Sequence, residues 1–316
     1  MKKITSIFLV FAILSLNLIA FSAGSGITVY VDGNKLDFKD AEPFIENGRT
    51  LVPFRAIAEA LGADVGWDAK TQTVTISKAN PNAQKSDAPD GSKNIQLVIG
   101  QKNALVNGAS VTLDVPAKIA TNRTYVPLRF VSEAMEMGVN WDAATKKITI
   151  DTPEFYITLD KNTAEVGDIV KATLNIKNFY GFAGFQINLK YDPDVLQPID
   201  TATDSEFTST SLPDEGTVLK NSKFSPTAMA SNDLENGTLT YGSGYMNMEA
   251  YKKSGNSEAT GSIAVFTFKV LKKQQTSLSL QNSPSMTKPI DGTMAFNWDG
   301  TTLTNYKVLG TVDLNK

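Results

Sequence analysis

The chain contains no cysteine and no histidine. Without histidine there is no Ser-His-Asp triad and no imidazole base near neutral pH. Without either residue type, the usual zinc, copper–imidazole and haem–thiolate sites are out of reach. Thiol nucleophiles, disulfides and redox switches are excluded as well. Carboxylate pairs, lysine, tyrosine, Ser-Lys pairs and carboxylate-bound hard metals are what remains for catalysis. An excess of one charge is also lacking. The 33 acidic and 30 basic residues give a net charge of −3, too weak a field to draw in nucleic acid or an anionic membrane. Long helical periods are scarce while Gly, Thr, Asn and Ser are frequent, which predicts β structure. A length of 316 residues predicts two or three domains.

The first residues carry the order of a secretory signal peptide. Lys2 and Lys3 precede an apolar run from Ile4 through Phe21, closed by the small residues Ala20, Ser22 and Ala23. Cleavage after Ser22 and cleavage after Ala23 both fit, so residues 1–23 are assigned to the leader. The rival reading is an uncleaved anchor, which a short apolar core closed by small residues disfavours. A lipid-modified leader would need a cysteine. The mature protein is expected to be secreted, extracellular or cell-surface associated. It is expected to have no membrane contact once the leader is removed, and to be held together by core packing alone.

Behind the leader lies a duplication. RTLVPFRAIAEALGADVGWDAKTQTVTI (49–76) and RTYVPLRFVSEAMEMGVNWDAATKKITI (123–150) align without gaps, with 14 identities in 28 positions. In the first copy Val29 and Val31 alternate with polar positions before an Asp32-Gly33-Asn34 turn, predicting a β-hairpin. Pro53 opens a helix whose apolar face is Phe54, Ile57, Ala58 and Leu61, and Gly62 is placed to end it. Val65, Trp67, Val74 and Ile76 form a second hairpin. In the second copy Leu128, Val131, Met135, Val139, Trp141, Ile148 and Ile150 take the same roles. Arg55 and Arg129 are read as pairing with Glu59 and Glu133 four residues on; the other reading is contact with an anionic wall polymer. Trp67 and Trp141 are read as core by their strand pattern, against stacking on sugar rings. The units are placed at 27–78 and 95–151, with a Ser-, Pro- and Asn-rich flexible loop at 79–94.

The doubled R-T-[LY]-V-P-[FL]-R and V-x-W-D signatures resemble the copper-amine-oxidase N-terminal-like, or stalk, family. The resemblance implies a small α+β module of exported bacterial proteins with spacer or wall-associated roles. The oxidase chemistry of the family name belongs to a separate module with copper-binding histidines, which this chain lacks.

From Phe155 onward alternating strands dominate: 155–160, 169–178, 182–192, 238–244, 262–271, 276–281 and 306–314. Their number and spacing predict a two-sheet sandwich over 155–314. The expected fold class is therefore mainly β, an α+β duplicated domain followed by a β-sandwich of jelly-roll type. Phe185, Ile187, Leu189 and Tyr191 are expected in the core. Gln186, Asn188 and Lys190 are expected on the outer face, with Gly242, Gly244, Tyr245 and Met246 beside them and Val265 and Thr267 completing the surface. Glycine, valine, tyrosine and methionine beside a few polar groups suit protein contact better than plain solvation.

The segments EVGDIVKATLNIKNFYGFAGFQINLKYDPDVLQPID (165–200), GTVLKNSKFSPTAMASNDLENGTLTYGSGY (216–245), TGSIAVFTFKVLKK (260–273) and FNWDGTTLTNYKVL (296–309) resemble a cohesin, most closely of type II. The resemblance implies a nine-stranded, non-catalytic sandwich that binds dockerins on the sheet of strands 8, 3, 6 and 5. The expected partner is a type II dockerin of a cellulosomal scaffoldin, with or without an adjoining X module. No cofactor is expected on this chain; calcium would sit on the dockerin, because no twelve-residue calcium loop is present. The polar pair of type I falls on Gly184 and Gln186 and its acidic residue on Tyr245, which argues for a more apolar, type II interface. On this reading Tyr245→Ala weakens dockerin binding.

Two other functions compete with this one. An enzyme would draw on Asp192, Asp194, Asp233, Glu235, Asp291 and Asp299, all in turn contexts where Asp caps backbone groups. A carbohydrate-binding cell-surface protein would use Tyr241, Tyr245, Tyr251 and Trp298 as a sugar platform. Neither rival accounts for the ordered cohesin-like segments.

Overall fold

The computed structural model describes residues 26–39, 41–79, 92–255, 258–281 and 292–316. The leader at 1–23, Asp291 and residues 80–91 of the 79–94 loop lie outside the described residues. Lys93 and Asn94, expected in that loop, already belong to the strand Lys93–Val98, which pairs with Thr73–Lys78.

Both helices of the duplication form where the apolar period places them. Helix α1 is Phe54–Ala60 and buries Phe54, Ile57 and Ala58; helix α2 is Leu128–Ala134 and buries Leu128, Val131 and Ser132. Strands Arg49–Pro53 and Arg123–Pro127 precede them and pair antiparallel, with Val52 opposite its own counterpart Val126. The repeats are therefore related by an approximate two-fold axis through this pair. They also interlock. The opening strand Thr28–Val31 of the first copy lies parallel to the closing strand Lys147–Asp151 of the second. One apolar cluster runs from Val29, Ile57 and Ile76 to Val126, Val131 and Ile150, so the two copies share a single core.

The C-terminal sandwich contains all seven expected strands. One sheet is built around Gly261–Val270, flanked by Ile169–Lys177 and Leu196–Asp200, with Glu154–Leu159 and Lys307–Leu309 beyond. The other is built around Phe182–Lys190, flanked by Thr238–Tyr245 and Pro226–Asp233 on one side and Thr276–Leu280 on the other. Met294–Asn297 also pairs with the first half of Phe182–Lys190. The terminal segment 306–314 is divided between the sheets. Lys307–Leu309 joins the first and Thr311–Leu314 the second, and the chain crosses at Gly310, where a β-carbon would press on Leu280. Helix α3, Met248–Ser254, begins at Asn247, whose side chain accepts from the Ala250 amide.

The two halves meet in a specific polar contact. Glu136 follows α2 in the left-handed region (φ 60°), where its counterpart in the first copy is Gly62 (φ 71°). Its carboxylate accepts from the amides of Thr304 (2.8 Å) and Asn305 (3.0 Å) of the sandwich. Lys93 closes the cluster at 2.5 Å, and both side chains of that ion pair are largely buried (14% and 11% exposed). Nearby, a β-carbon at Gly138 would overlap the Asn178 carbonyl. Asp32 accepts from the Thr152 amide and hydroxyl (2.7 and 2.8 Å) and pairs with Lys307. Burial pushes the Asp32 carboxyl up, but the Thr152 bonds and Lys307 outweigh it and hold it below the usual carboxylate range.

Glu133 lies in the same contact. Burial, opposed in part by Arg129 and by a hydrogen bond from the Tyr180 hydroxyl, raises its carboxyl to about 7. The protonated form is thus favoured by folding. The benefit is fully present below the unfolded value of 4.5 and is lost as pH rises through 7. Glu133→Gln, which removes that titration, is expected to leave stability near pH 4 almost unchanged. Near pH 8.5 it should add on the order of 2 kcal/mol. Urea unfolding at the two pH values measures this, and equal effects at both would contradict it.

Candidate partner-binding face of the sandwich

The outer face of the second sheet is laid out by strand register. Met229, Gly242, Gln186 and Met294 form one row across four strands. Thr227, Gly244, Gly184 and Phe296 form the next, and Ser231, Thr240 and Asn188 a third. Residues opposite one another in an antiparallel ladder share a face, so these side chains present one surface. The glycines make its centre flat. A β-carbon at Gly242 would lie 3.1 Å from the Phe185 carbonyl oxygen, and one at Gly244 would lie 3.1 Å from Gly184. Met229 stands at the edge, 78% exposed, and Met246 at the strand end is 70% exposed. Unbranched thioethers beside a flat floor adapt to a partner's shape at little strain.

The structure brings together only part of the predicted set. Gln186, Gly242 and Gly244 lie at the centre of the face, and Met246 at its end. Lys190 is on the same side but tied down, its ammonium donating to the Asn236 carbonyl at 2.6 Å. Asn188 is buried (5% exposed) and accepts from the Thr240 hydroxyl at 3.1 Å. Three expectations are corrected. Val265 and Thr267 belong to Gly261–Val270, in the other sheet, opposite Asp214 and Ile199. Alternation assigns a side chain to the outside of its own sheet but does not say which sheet that is. Thr267 is also buried, its hydroxyl without a hydrogen-bond partner among the described residues. Tyr245 points into the core with no exposure. Its ring packs on Tyr251 at 4.8 Å and Phe224 at 5.2 Å, and its hydroxyl donates to Glu258 at 2.7 Å and accepts from the Asn221 amide. Burial and the Glu258 bond push that hydroxyl far above its ordinary value.

Met229 and Met294 were missed because their strands were missed. Pro226–Asp233 is an edge strand of small and polar residues (PTAMASND), and Met294–Asn297 is only four residues long. The exposed methionine within PTAMASND is the signal that could have marked the first.

The sugar-platform reading fails on packing. Tyr241 and Tyr251 are buried as Tyr245 is, and Trp298 packs against Tyr251 at 5.9 Å and Tyr180 at 5.2 Å, so the four rings do not form an exposed row. Among the described residues no group of three or more His, Cys, Asp or Glu is placed to hold a metal. No described helix is long and apolar enough to cross a membrane.

Comparison with known proteins adds what the geometry alone does not. Residues 155–296 match the cohesin domain family. The C-terminal module is a cohesin. Residues 30–150 match the copper amine oxidase N-terminal domain family, so the cohesin follows a duplicated stalk-type module. A type II cohesin domain from the cellulosome of Acetivibrio cellulolyticus is 41% identical, with 52% of this chain and 95% of that one covered and a TM-score of 0.48. The cohesin chain of a type II cohesin–X–dockerin complex from the same organism is 35% identical, over 52% of this chain and 98% of that one, with a TM-score of 0.47. Cell surface glycoprotein 1 of Acetivibrio thermocellus is 46% identical over 158 residues, which is 50% of this chain and only 7% of that protein.

Proposed function

We propose that this cohesin binds a type II dockerin of a cellulosomal scaffoldin, with or without an adjoining X module. On this reading the chain is an exported, non-catalytic scaffold, and its stalk repeats serve as a spacer or wall-associating part. Calcium, where required, belongs to the dockerin. One observation carries the reading: the Met229–Gly242–Gln186–Met294 row, a flat floor of glycine and glutamine between methionines, one of them exposed at the edge, on the sheet that the cohesin resemblance assigns to dockerins. A floor of this kind accepts a partner's helices without any rearrangement of its own backbone.

Titration of the full chain with a calcium-loaded type II dockerin is expected to give binding at micromolar concentration or tighter. Gly242→Glu puts a long side chain and a charge in the middle of the floor, and a loss of at least about 100-fold is expected, corresponding to roughly 3 kcal/mol. Val265→Glu, on the other sheet, should leave affinity unchanged. No heat from the parent chain, or equal affinity in Gly242→Glu, refutes the assignment.

A further inference from the structure

The stalk module carries a feature that dockerin binding leaves unused. Two grooves that share repeat-counterpart residues lie at the two ends of the central Arg49–Pro53/Arg123–Pro127 ladder. The first, about 740 Å³, is lined by Pro53, Arg55 and Trp67 of the first copy and by Arg123 of the second. The other, about 240 Å³, is lined by Pro127, Arg129 and Trp141 of the second copy and by Arg49 of the first. Each member has its repeat counterpart in the other groove. The two-fold pairing of Val52 with Val126 explains this: it brings the hairpin arginine of one copy beside the helix arginine of its neighbour, twice.

Each groove thus holds one indole and two guanidiniums, and the first is also lined by Asp37, Lys39 and Glu59. Trp67 is 39% exposed, contrary to the core placement its strand pattern suggests; Trp141 is partly buried against the core, as expected. Arg55 and Arg129 do pair with Glu59 and Glu133, but at 3.8 and 4.0 Å and with both arginines more than 60% exposed. The Arg55–Glu59 pair is exposed on both sides and weak, while in the second pair only the arginine is exposed and Glu133 is largely buried. Arg49 is held by Asp114 at 2.6 Å, also exposed. A flat π-face receives the apolar face of a sugar ring, and forked guanidiniums match a carboxylate or phosphate.

We propose that the two grooves are equivalent binding sites for an acidic polysaccharide strand, the sugar stacking on the indole and its carboxylate or phosphate held by the arginines. This rests on the wall-associating role given to the stalk repeats and names its ligand class. Each groove is individually weak because the ligand anion only replaces an existing carboxylate. Two grooves on one polymer add through effective concentration.

The test is affinity electrophoresis of the full chain in gels containing polygalacturonate (carboxylate), purified wall teichoic acid (phosphate) or hydroxyethylcellulose (neutral). Retardation is expected in at least one acidic gel, which identifies the anion, and not in the neutral gel. W67A/W141A should lower the apparent affinity at least tenfold, and each single variant less. R55Q/R129Q should do the same, both guanidiniums being more than 60% exposed, with circular dichroism melting of the full chain as the folding control. No retardation in either acidic gel overturns the proposal, as does equal retardation of parent and both double variants. Sedimentation with isolated cell walls separates this from the broader reading. Walls that retain parent and variants alike keep the wall-associating role and reject the grooves.

Discussion

Glu136→Ala is expected to destabilise the contact between the stalk module and the cohesin by about 3–5 kcal/mol, the range for removing one partner of a buried charge pair. Four groups lose their acceptor at once: the Thr304 amide and hydroxyl, the Asn305 amide and the Lys93 ammonium. The amides cannot turn elsewhere, because Thr304 and Asn305 directly follow the short strand Thr302–Leu303. A substitution series separates charge from strain. Glu136 occupies the left-handed region, where a non-glycine residue costs about 1 kcal/mol or more. Glu136→Gly relieves that strain, so it should be less damaging than Glu136→Ala by roughly 1 kcal/mol. Glu136→Gln keeps the acceptor oxygen but loses the charge and should fall between the parent and alanine. Calorimetry gives the order. Small-angle scattering should show the alanine variant at most slightly more extended, because the Asp32–Lys307 and Glu133–Tyr180 contacts still join the modules. An unchanged profile and melting curve would show that Glu136 does not hold the two parts together.

Tyr245→Ala is expected to cost about 3–5 kcal/mol, as for other large buried aromatics. It empties the space between Phe224 and Tyr251 and leaves the Glu258 carboxylate, which also accepts the Leu219 amide, without the phenol. Tyr245→Phe keeps the ring and removes only the hydroxyl bonds to Glu258 and Asn221, for about 1–3 kcal/mol. Placing Tyr245 at the partner interface predicts a different outcome, a loss of affinity with stability preserved. Urea unfolding and dockerin titration on the same samples distinguish the two. For a buried Tyr245, affinity per folded molecule of Tyr245→Phe equals that of the parent. A large loss of affinity without loss of stability would return it to the interface.

Differences between the repeat copies carried information that their shared pattern did not. The fourteen identities mark the shared fold, and only Val52, Pro53 and Ile76 among them are buried in the first copy. The departures Gly62 to Glu136 and Asp64 to Gly138 fall where only the second copy meets the cohesin. A helix-ending glycine exchanged for glutamate at a left-handed position is a legible sign of a side chain kept despite its strain. Likeness between the copies conceals it.

By itself the sequence determined the elements and their buried faces. A period of 3.6 named the residues α1 and α2 bury, alternation named the sandwich core from Phe185 to Phe268, and ordered motifs marked the cohesin. These are local properties, set by the spacing of apolar residues along a few turns or a single strand. Which sheet Val265 and Thr267 join, which way Tyr245 turns at a strand end, and how two repeats share one core were decided by tertiary structure. Each depends on pairing between segments far apart in the chain, and alternation is the same whichever neighbour a strand takes. The two grooves belong to this second class. Arg49 comes beside Arg129, and Arg55 beside Arg123, only because Val52 pairs with Val126, a contact that no single repeat encodes.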